Sequence, residues 1–454
     1  MTRSDDDRRI AVLSKEKPAI AVVKMGVPLI AGMCIMVLYN LVDTYFIGLL
    51  NDDYQLAAVN LAYPVMMVLI ALSNMVGTGC SSLIARCLGK NDTHTANHTV
   101  TTGLVLTVIV SVTVALLGMF FLPGIVHGLG AQKNTFAHTQ NYVSVLLLGS
   151  LFTMGNYTLG QLLRSEGSVG FSVVGMVVGT VANIALDPLF IFFLHGGCAG
   201  AAAATVLGNA VGMAFSLSFY MRGKTLLRPS WFFVMPTARI LKEVFWVGVP
   251  ATLETLLTSV AFVVNNNLAV SYGELTVAAM GIAQKILSLG SYVYQGFAAG
   301  VQPIMGYNYG ARNYDRMLAV LRAGVLVVSG TELCIMAVCG VFAVQLVSLF
   351  SESPEVITTG AQVLRTLMWI LPFVGATSMS RISFQAMGKP QYAFSITLIR
   401  QLVLYVPLLL LLNSVYGFGG MIWAQPITEL CMMVVSVGLL VRTIRTEQAG
   451  RAQA

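Results

Sequence analysis

One carboxylate lies inside a stretch of sequence that is otherwise suited to lipid. The run VPLIAGMCIMVLYNLVDTYFIGLL (27–50) is largely apolar, and Asp43 is its only charged residue. A carboxylate near the middle of a bilayer costs about 2.5–3.5 kcal/mol on insertion scales. Because of this cost, we interpret Asp43 as a candidate functional group rather than as a packing residue.

A second carboxylate occurs with polar neighbours in the apolar run ANIALDPLFIF (182–192). Asn183 and Asp187 are four residues apart, which places them on one face of a helix. Pro188 has no N–H, so the carbonyl of Ile184 loses its helical hydrogen bond. Together these groups form an oxygen-rich spot, and hard cations prefer oxygen ligands.

The two carboxylates have a shared electrostatic constraint. If they lie close together in a medium of low dielectric constant, they cannot both ionise cheaply. Such a site is stable when it is protonated or loaded with a cation, and costly when it is empty. This behaviour is what an ion-coupling site requires.

The composition indicates which elements hold these residues. The chain has 454 residues, of which 56% are hydrophobic and only 10% charged, with a mean hydropathy of +0.79. Soluble domains carry about 25% charged residues. Apolar runs of roughly 20 residues predict twelve membrane-spanning helices. The seven cysteines show no CxxC pair and no metal-ligand spacing.

The basic residues orient these helices in the membrane. With both termini in the cytoplasm, 22 of the 26 Lys and Arg residues lie on the inner side. Lys133 and Arg365 lie outside, and Lys285 and Arg400 lie within spans. This asymmetry follows the positive-inside rule. We therefore predict a multi-pass membrane protein with both termini in the cytoplasm, and the net charge of +7 implies no nucleic-acid partner.

An internal repeat divides the chain into two halves of six spans. Sequence matches recur at offsets of 220 to 222 residues, and they pair Pro28 with Pro250, Gly79 with Gly300, Gly89 with Gly310, and Gly167 with Gly388. Because six is an even number, both halves have the same orientation, as in transporters that rock two bundles about a central site. The predicted divisions are an N-terminal cytoplasmic tail (1–24), an N-lobe (25–221), a cytoplasmic linker (222–243), a C-lobe (244–441) and a C-terminal cytoplasmic tail (442–454).

Three motifs together resemble the multidrug and toxic compound extrusion (MATE) family, and in particular its DinF-like branch. They are PLIAGMCIMVLYNLVDTYFIG, the loop ending in GKND, and NIALDPLFIF. The resemblance covers about residues 20–440. It implies an all-α membrane protein with two six-helix lobes around a V-shaped cavity. It also implies a monomeric, cation-coupled exporter of amphipathic, often cationic drugs, with H⁺ or Na⁺ as the coupling ion, no other cofactor and no enzymatic activity.

The resemblance also assigns roles to individual residues. It implies that Asp43, Asn183, Asp187 and Thr205 line a cation or proton site in the N-lobe, which holds Na⁺ if the transporter is sodium-coupled. Tyr39 and Asn40 lie about one turn before Asp43 and, by the same resemblance, beside the drug cavity. The repeat places Asn265 opposite Asp43, so the second half lacks the matching carboxylate.

Several other polar residues also occur in the spans. Asn156, Gln161 and Lys285 are predicted to line the substrate cavity. For Lys285 and Arg400 the alternatives are snorkelling to the membrane surface, pairing with a carboxylate, or facing the cavity as a charge that competes with the substrate or senses the protonation of a partner. The roles of three further carboxylates stay open at this point: Glu254, Glu332 and Glu429.

Two other classes of function were compared with the exporter. A flippase for lipid-linked glycans, from the same superfamily, would need several Arg or Lys residues in its cavity to hold pyrophosphate. Only Lys285 and Arg400 are predicted inside spans. An intramembrane protease would need a GxSG, HExxH or GxGD motif, and the sequence contains none of these. The exporter is therefore the favoured function.

Overall fold

The structure is helical throughout the described residues, as the hydropathy pattern predicts. The computed structural model describes residues 3–50, 52–230 and 235–453, without the side chains at 3–8, 38, 40, 41, 44, 53, 263, 274 and 451–453. Within these ranges there are helices, turns and short connections but no strand. This result confirms the predicted all-α class.

The first half of the chain forms nine helices. Their bounds are α1 (Arg3–Ser14), α2 (Pro18–Gly48), α3 (Asp53–Gly89), α4 (Thr93–Phe120), α5 (Leu122–Gly128), α6 (Phe136–Leu148), α7 (Ser150–Ser165), α8 (Val169–Pro188) and α9 (Gly197–Met221). A π-helical turn, Leu189–Phe193, continues α8 beyond Pro188.

The second half repeats this plan. Its helices are α10 (Ala238–Val270), α11 (Glu274–Gly310), α12 (Tyr314–Val341), α13 (Ala343–Ser348), α14 (Pro354–Leu367), α15 (Leu371–Ala386), α16 (Pro390–Leu398) and α17 (Val406–Gln453). A short 3₁₀ turn, Met368–Ile370, joins α14 to α15, and a π-helical turn, Ile399–Tyr405, joins α16 to α17.

Twelve spans can be counted in the described residues. Nine helical stretches are long and apolar enough to cross a membrane, or ten when α6 and α7, bent by 51°, form one span. α11 adds another by its length of 37 residues, although its Gln, Asn and Lys residues lower its hydropathy. The stretch from α16 to the end of α17 contains two spans, because Gly417 breaks the helix with φ +58° and ψ −142°. The chain is thus a multi-pass membrane protein.

The helices form two compact units. The first consists of Met1–Ala11 and Ala31–Gly248, and the second of Val12–Ile30 and Val249–Ala454. The early part of α2 thus belongs to the second unit and its remainder to the first. The early part of α10 belongs to the first unit and its remainder to the second. The described residues of the predicted linker, 222–230 and 235–243, lie in the first unit, and the lobe boundaries given above stay predictions.

Glycines allow the first turns of α2 and α10 to pack closely within these units. In the second unit, a Cβ on Gly300 would lie 2.9 Å from the backbone nitrogen of Gly26. In the first unit, a Cβ on Gly79 would lie 2.2 Å from the carbonyl oxygen of Val244. Small residues at such crossings let two backbones touch. The aligned glycines of the sequence repeat therefore have the same packing role in both units.

The segment after α9 is attached to the first unit by backbone hydrogen bonds. The N–H of Leu227 donates to Oε2 of Glu166 at 3.1 Å, and the N–H of Arg228 donates to Oδ1 of Asn97 at 2.7 Å. The N–H of Ser230 donates to Oγ1 of Thr101 at 3.2 Å. Side chains of the unit thus satisfy backbone groups that would otherwise need water.

The carboxyl group of Glu166 is the unusual member of this attachment, because it is fully buried just beyond the end of α7. Burial raises the pKa of Glu166 from its ordinary 4.5 to about 8, although the Leu227 N–H and the charge of Arg9 act in the opposite direction. The folded chain therefore holds this proton more tightly than the unfolded chain does. The associated stability is present below pH 4.5 and is lost as the pH rises towards 8.

We expect Glu166→Gln to remove this pH dependence, because a neutral amide can still accept the Leu227 N–H. Thermal unfolding of the purified protein should show similar Tm values for the two proteins near pH 5, and a higher Tm for the variant near pH 8. Glu355→Gln, at an exposed position in the first turn of α14, controls for the loss of one negative charge. A constant difference between Glu166→Gln and the parent at all pH values would contradict the prediction.

Candidate functional site

The predicted site residues lie on α2, α8 and α9 of the first unit, and a line of glycines brings α8 and α9 together. Gly175 and Gly179 on α8 face Gly208 and Gly212 on α9. A Cβ on Gly179 would lie 2.9 Å from the carbonyl oxygen of Gly208, and one on Gly175 would lie 3.6 Å from that of Gly212. The spacing of four residues keeps each pair on one helix face.

Close packing of these helices places Asn183 against Thr205. Asn183 is one turn beyond Gly179, and its Nδ2 donates to Oγ1 of Thr205 at 3.3 Å. The hydroxyl of Tyr39, from α2, lies 3.2 Å from the same Oγ1. Thr205 is therefore the point at which α2, α8 and α9 are joined by side-chain hydrogen bonds.

A further set of amides extends from Thr205 towards α7. Asn209 Nδ2 donates to the carbonyl oxygen of Thr205 at 3.0 Å, and Asn156 Nδ2 donates to Oδ1 of Asn209 at 2.9 Å. Asn209 was not predicted from the sequence. Its spacing of four residues from Thr205 on the same helix was the signal that would have indicated it.

The carboxylates lie beside these hydrogen bonds without hydrogen-bond donors of their own. Asp187 is fully buried, Asn183 is 3% exposed and Thr205 is 6% exposed. At this site four buried acceptor oxygens have no partner among the described residues: Oδ1 of Asp43, Oδ1 of Asn183 and both carboxylate oxygens of Asp187. Asp43 and Asp187 are also close enough to interact electrostatically.

These acceptors determine what the site can bind. A buried oxygen without a donor is costly, and two unscreened negative charges are more costly still. A proton supplies a donor and neutralises one charge, and a hard cation such as Na⁺ is satisfied by carboxylate, amide and hydroxyl oxygens. A softer metal is not indicated, since the described residues contain no group of three or more His, Cys, Asp or Glu side chains able to hold one.

The other predicted cavity residues lie in different surroundings. The side chain of Asn40 lies outside the described residues. Gln161, on α7, donates through Nε2 to Oδ1 of Asn74 at 2.7 Å, in a polar cluster separate from Thr205. Lys285 is exposed on α11 of the second unit. The assignment of these three residues to a substrate cavity stays a prediction.

The second unit has no equivalent set of unpartnered acceptors at the repeat-related positions. At an offset of 222, Asp43 corresponds to Asn265, Asn183 to Tyr405, and Asp187 to Leu409. The hydroxyl of Tyr405 donates to Oδ1 of Asn265 at 3.0 Å. In the second unit, Leu409 thus stands where the first unit has Asp187. The hydrogen-bonded Tyr405 and Asn265 stand where the first unit has Asn183 and Asp43.

Two of the ion pairs in the second unit involve the carboxylates whose roles the sequence left open. Arg381 Nη1 lies 2.7 Å from Oε2 of Glu254, and Arg400 Nη1 lies 2.6 Å from Oε1 of Glu429. Arg400 is therefore paired with a carboxylate, and its side chain also lines a cavity of the second unit. Glu332, on α12, is fully buried, and neither of its carboxylate oxygens has a partner in the described residues.

A cavity of about 280 Å³ lies within the second unit, next to the Arg400–Glu429 pair. Its polar lining includes Gln284, Asn265 and Tyr405. Gln284 therefore faces a cavity, whereas the neighbouring Lys285 is not among the lining residues.

Comparison with known proteins identifies the family of the chain. The model of the MatE family matches residues 28–189 and 250–411, two segments that are 222 residues apart, as the internal repeat predicts. A multidrug export protein, MepA of Staphylococcus saprophyticus, is 30% identical over 431 residues, which cover 93% of each chain.

Solved structures agree with this assignment. The outward-facing structure of a multidrug resistance MATE family transporter of the MOP superfamily is 29% identical, with a TM-score of 0.92 and coverage of 97% of this chain and 98% of that one. A MOP superfamily transporter from Pyrococcus furiosus, described as having a binding pocket of reverse polarity that suggests a different function, is 30% identical. Its TM-score is 0.90, over 97% of this chain and 98% of that one. The chain belongs to the MatE family of membrane transporters and is not an enzyme.

Proposed function

We propose that this protein is a secondary active multidrug exporter. It moves amphipathic, often cationic drugs out of the cell in exchange for H⁺ or Na⁺, by alternating access of its two lobes. The observation that carries the proposal is the set of unpartnered acceptor oxygens on Asp43, Asn183 and Asp187, next to Thr205. The relatives named as multidrug export proteins support the choice of cargo.

Coupling of ion movement to drug movement follows from the free energy of the site, which is higher without the ion than with it. An empty site retains buried acceptors and two carboxylates, whereas a loaded site is neutralised or coordinated. An ion shifts a conformational equilibrium only to the extent that it binds one state better than the other. To change the ratio of two conformations from 1:99 to 99:1, the ion must bind the favoured conformation about 10⁴-fold more tightly than the other. Two carboxylates and an amide can provide such a preference if one conformation separates α2 from α8.

The decisive experiment separates the two gradients. Purified protein is reconstituted in liposomes, and the movement of a fluorescent amphipathic cation is followed with a pH gradient alone and then with an Na⁺ gradient alone. We expect transport under one of the gradients and none without a gradient. Failure to move any amphipathic cation under either gradient would contradict the exporter.

The same liposomes test the rival flippase. A lipid carrying pyrophosphate should not be translocated faster than in liposomes without protein. The pairing of Arg400 with Glu429 favours this result, because that guanidinium already has a counter-charge. Translocation of the lipid without drug transport would favour the flippase.

The proposal includes a monomer in the bacterial cytoplasmic membrane with both termini in the cytoplasm. The distribution of Lys and Arg residues supports this orientation. Introduced cysteines near Asp52 and near Lys224 test it, since a membrane-impermeant thiol reagent added to whole cells should label only the first. Labelling of the second alone would reverse the topology.

A further inference from the structure

A basic cavity lies at the end of α9, away from the Asp43–Asp187 site. Its volume is about 600 Å³, and its lining comes entirely from the end of the helix and the chain that follows: Leu217, Tyr220, Met221, Arg222, Gly223, Arg228 and Pro229. This place is the inner membrane surface in the orientation proposed above. None of these residues belongs to the coupling site proposed above.

The backbone gives the cavity a fixed shape. Gly223 has φ +61°, and its N–H donates to the carbonyl of Tyr220 at 3.1 Å, while the N–H of Lys224 donates to the carbonyl of Phe219 at 2.9 Å. This glycine-containing helix end turns the chain back on itself. The attachment of Arg228 through its N–H to Asn97 then holds the returning segment in place.

The turn brings two guanidinium groups to one cavity, and none of the cavity's described lining residues is acidic. The side chains of Arg222 and Arg228 are exposed, and neither has an ion pair or side-chain hydrogen bond in the described residues. Glu166 interacts electrostatically with Tyr220. Glu166 is fully buried, and one of its oxygens already accepts the Leu227 N–H.

One residue of the lining has a buried hydroxyl without a partner. Tyr220 is only 4% exposed, lines the cavity, and its hydroxyl has no partner in the part of the chain that the structure describes. A buried hydroxyl without a partner is uncommon, because it forfeits its hydrogen bond with water. Two guanidinium groups and one hydroxyl are the donors that a phosphate group prefers.

We infer that this cavity binds the phosphate-containing headgroup of an anionic membrane lipid. Basic pockets between membrane helices at the cytoplasmic surface are suited to such headgroups. Apolar lining residues support a lipid rather than a soluble phosphate: Leu217 and Met221 lie at the end of a span, and Met221 is 80% exposed. The carboxyl end of a helix carries partial negative charge, so the helix end itself does not attract an anionic headgroup. The attraction of the headgroup must therefore come from the side chains.

Thermal unfolding of the purified full-length protein in detergent tests the inference. The probes are dioleoyl phosphatidylglycerol, dioleoyl phosphatidylcholine with the same acyl chains, and inorganic phosphate. We expect phosphatidylglycerol to raise the Tm more than phosphatidylcholine does. Arg222→Gln/Arg228→Gln should weaken the affinity for phosphatidylglycerol by about tenfold or more, and Tyr220→Phe should weaken it as well.

The matched control is Arg442→Gln/Arg445→Gln. Both residues are exposed near the end of α17, also on the inner side, and the pair removes the same net charge. This variant should retain the full response to phosphatidylglycerol. The inference would be overturned if the two double variants lost the same affinity for phosphatidylglycerol. It would also be overturned if Arg222→Gln/Arg228→Gln or Tyr220→Phe responded as the parent does, or if phosphatidylcholine stabilised the protein equally. Equal stabilisation by inorganic phosphate would assign the cavity to a soluble anion instead. The test needs no transport and is independent of the proposed cargo.

Discussion

Asp43→Asn is expected to abolish gradient-driven drug transport while the protein still folds and reaches the membrane. An asparagine cannot change charge, so binding an ion no longer changes the electrostatic cost of the site. The amide also removes the interaction between two carboxylates. We therefore expect the variant to have a Tm equal to or above that of the parent. Dye transport into liposomes at matched protein content, together with thermal unfolding, measures both effects.

Three substitutions control this experiment. Asn183→Ala and Asp187→Asn should also lose coupled transport, since they remove other parts of the same site. Asn265→Ala, at the repeat-related position, should have a milder effect, because the cost there is one hydrogen bond with Tyr405. Asp52→Asn applies the same chemical change at the N-terminal cap of α3, where asparagine also caps helices well. Transport by Asp43→Asn at the parental rate, with unchanged dependence on pH and Na⁺, would show that Asp43 is structural.

The sequence was sufficient to predict the fold for a physical reason. In lipid every backbone polar group must be satisfied within the segment, so a long apolar run has little choice but to be a helix. The repeat then relates the two halves, and the family match at an offset of 222 agrees with it. Carboxylates in such runs are rare because they are costly, which is why Asp43 and Asp187 were recognisable without a structure.

The contacts between helices could not be predicted in the same way. Helical periodicity indicates which residues share a face, but it does not indicate which other helix that face meets. Three features depend on which helices pack together: the hydrogen bonds of Asn209, the pairing of Arg400 with Glu429 and the burial of Glu166. The repeat alignment predicted that Asn265 takes the position of Asp43 in the second half. It did not predict that the hydroxyl of Tyr405 donates a hydrogen bond to Asn265.

The packing of α8 against α9 provides the second large effect, and Gly208→Val is expected to disrupt both the fold and the site. A Cβ at this position would lie 2.6 Å from the Cβ of Asn183 and 2.8 Å from the carbonyl oxygen of Gly179. One of these atoms belongs to the backbone, so the helices must move apart. Overpacking of this kind typically costs about 1–3 kcal/mol, and valine adds two further methyl groups at the crossing.

The same movement should break the hydrogen bond between Asn183 and Thr205, which is already 3.3 Å long. We therefore expect Gly208→Val to lower the Tm by several degrees and to lose coupled transport in whatever protein remains folded. Gly170→Val is the matched control, because Gly170 is on α8 and has no neighbour within 4 Å of its Cβ position. Both substitutions introduce the same β-branched residue into a helix, so any difference between them reports the crossing alone. If Gly208→Val matched Gly170→Val in both Tm and transport, close contact between α8 and α9 would not be what positions Asn183.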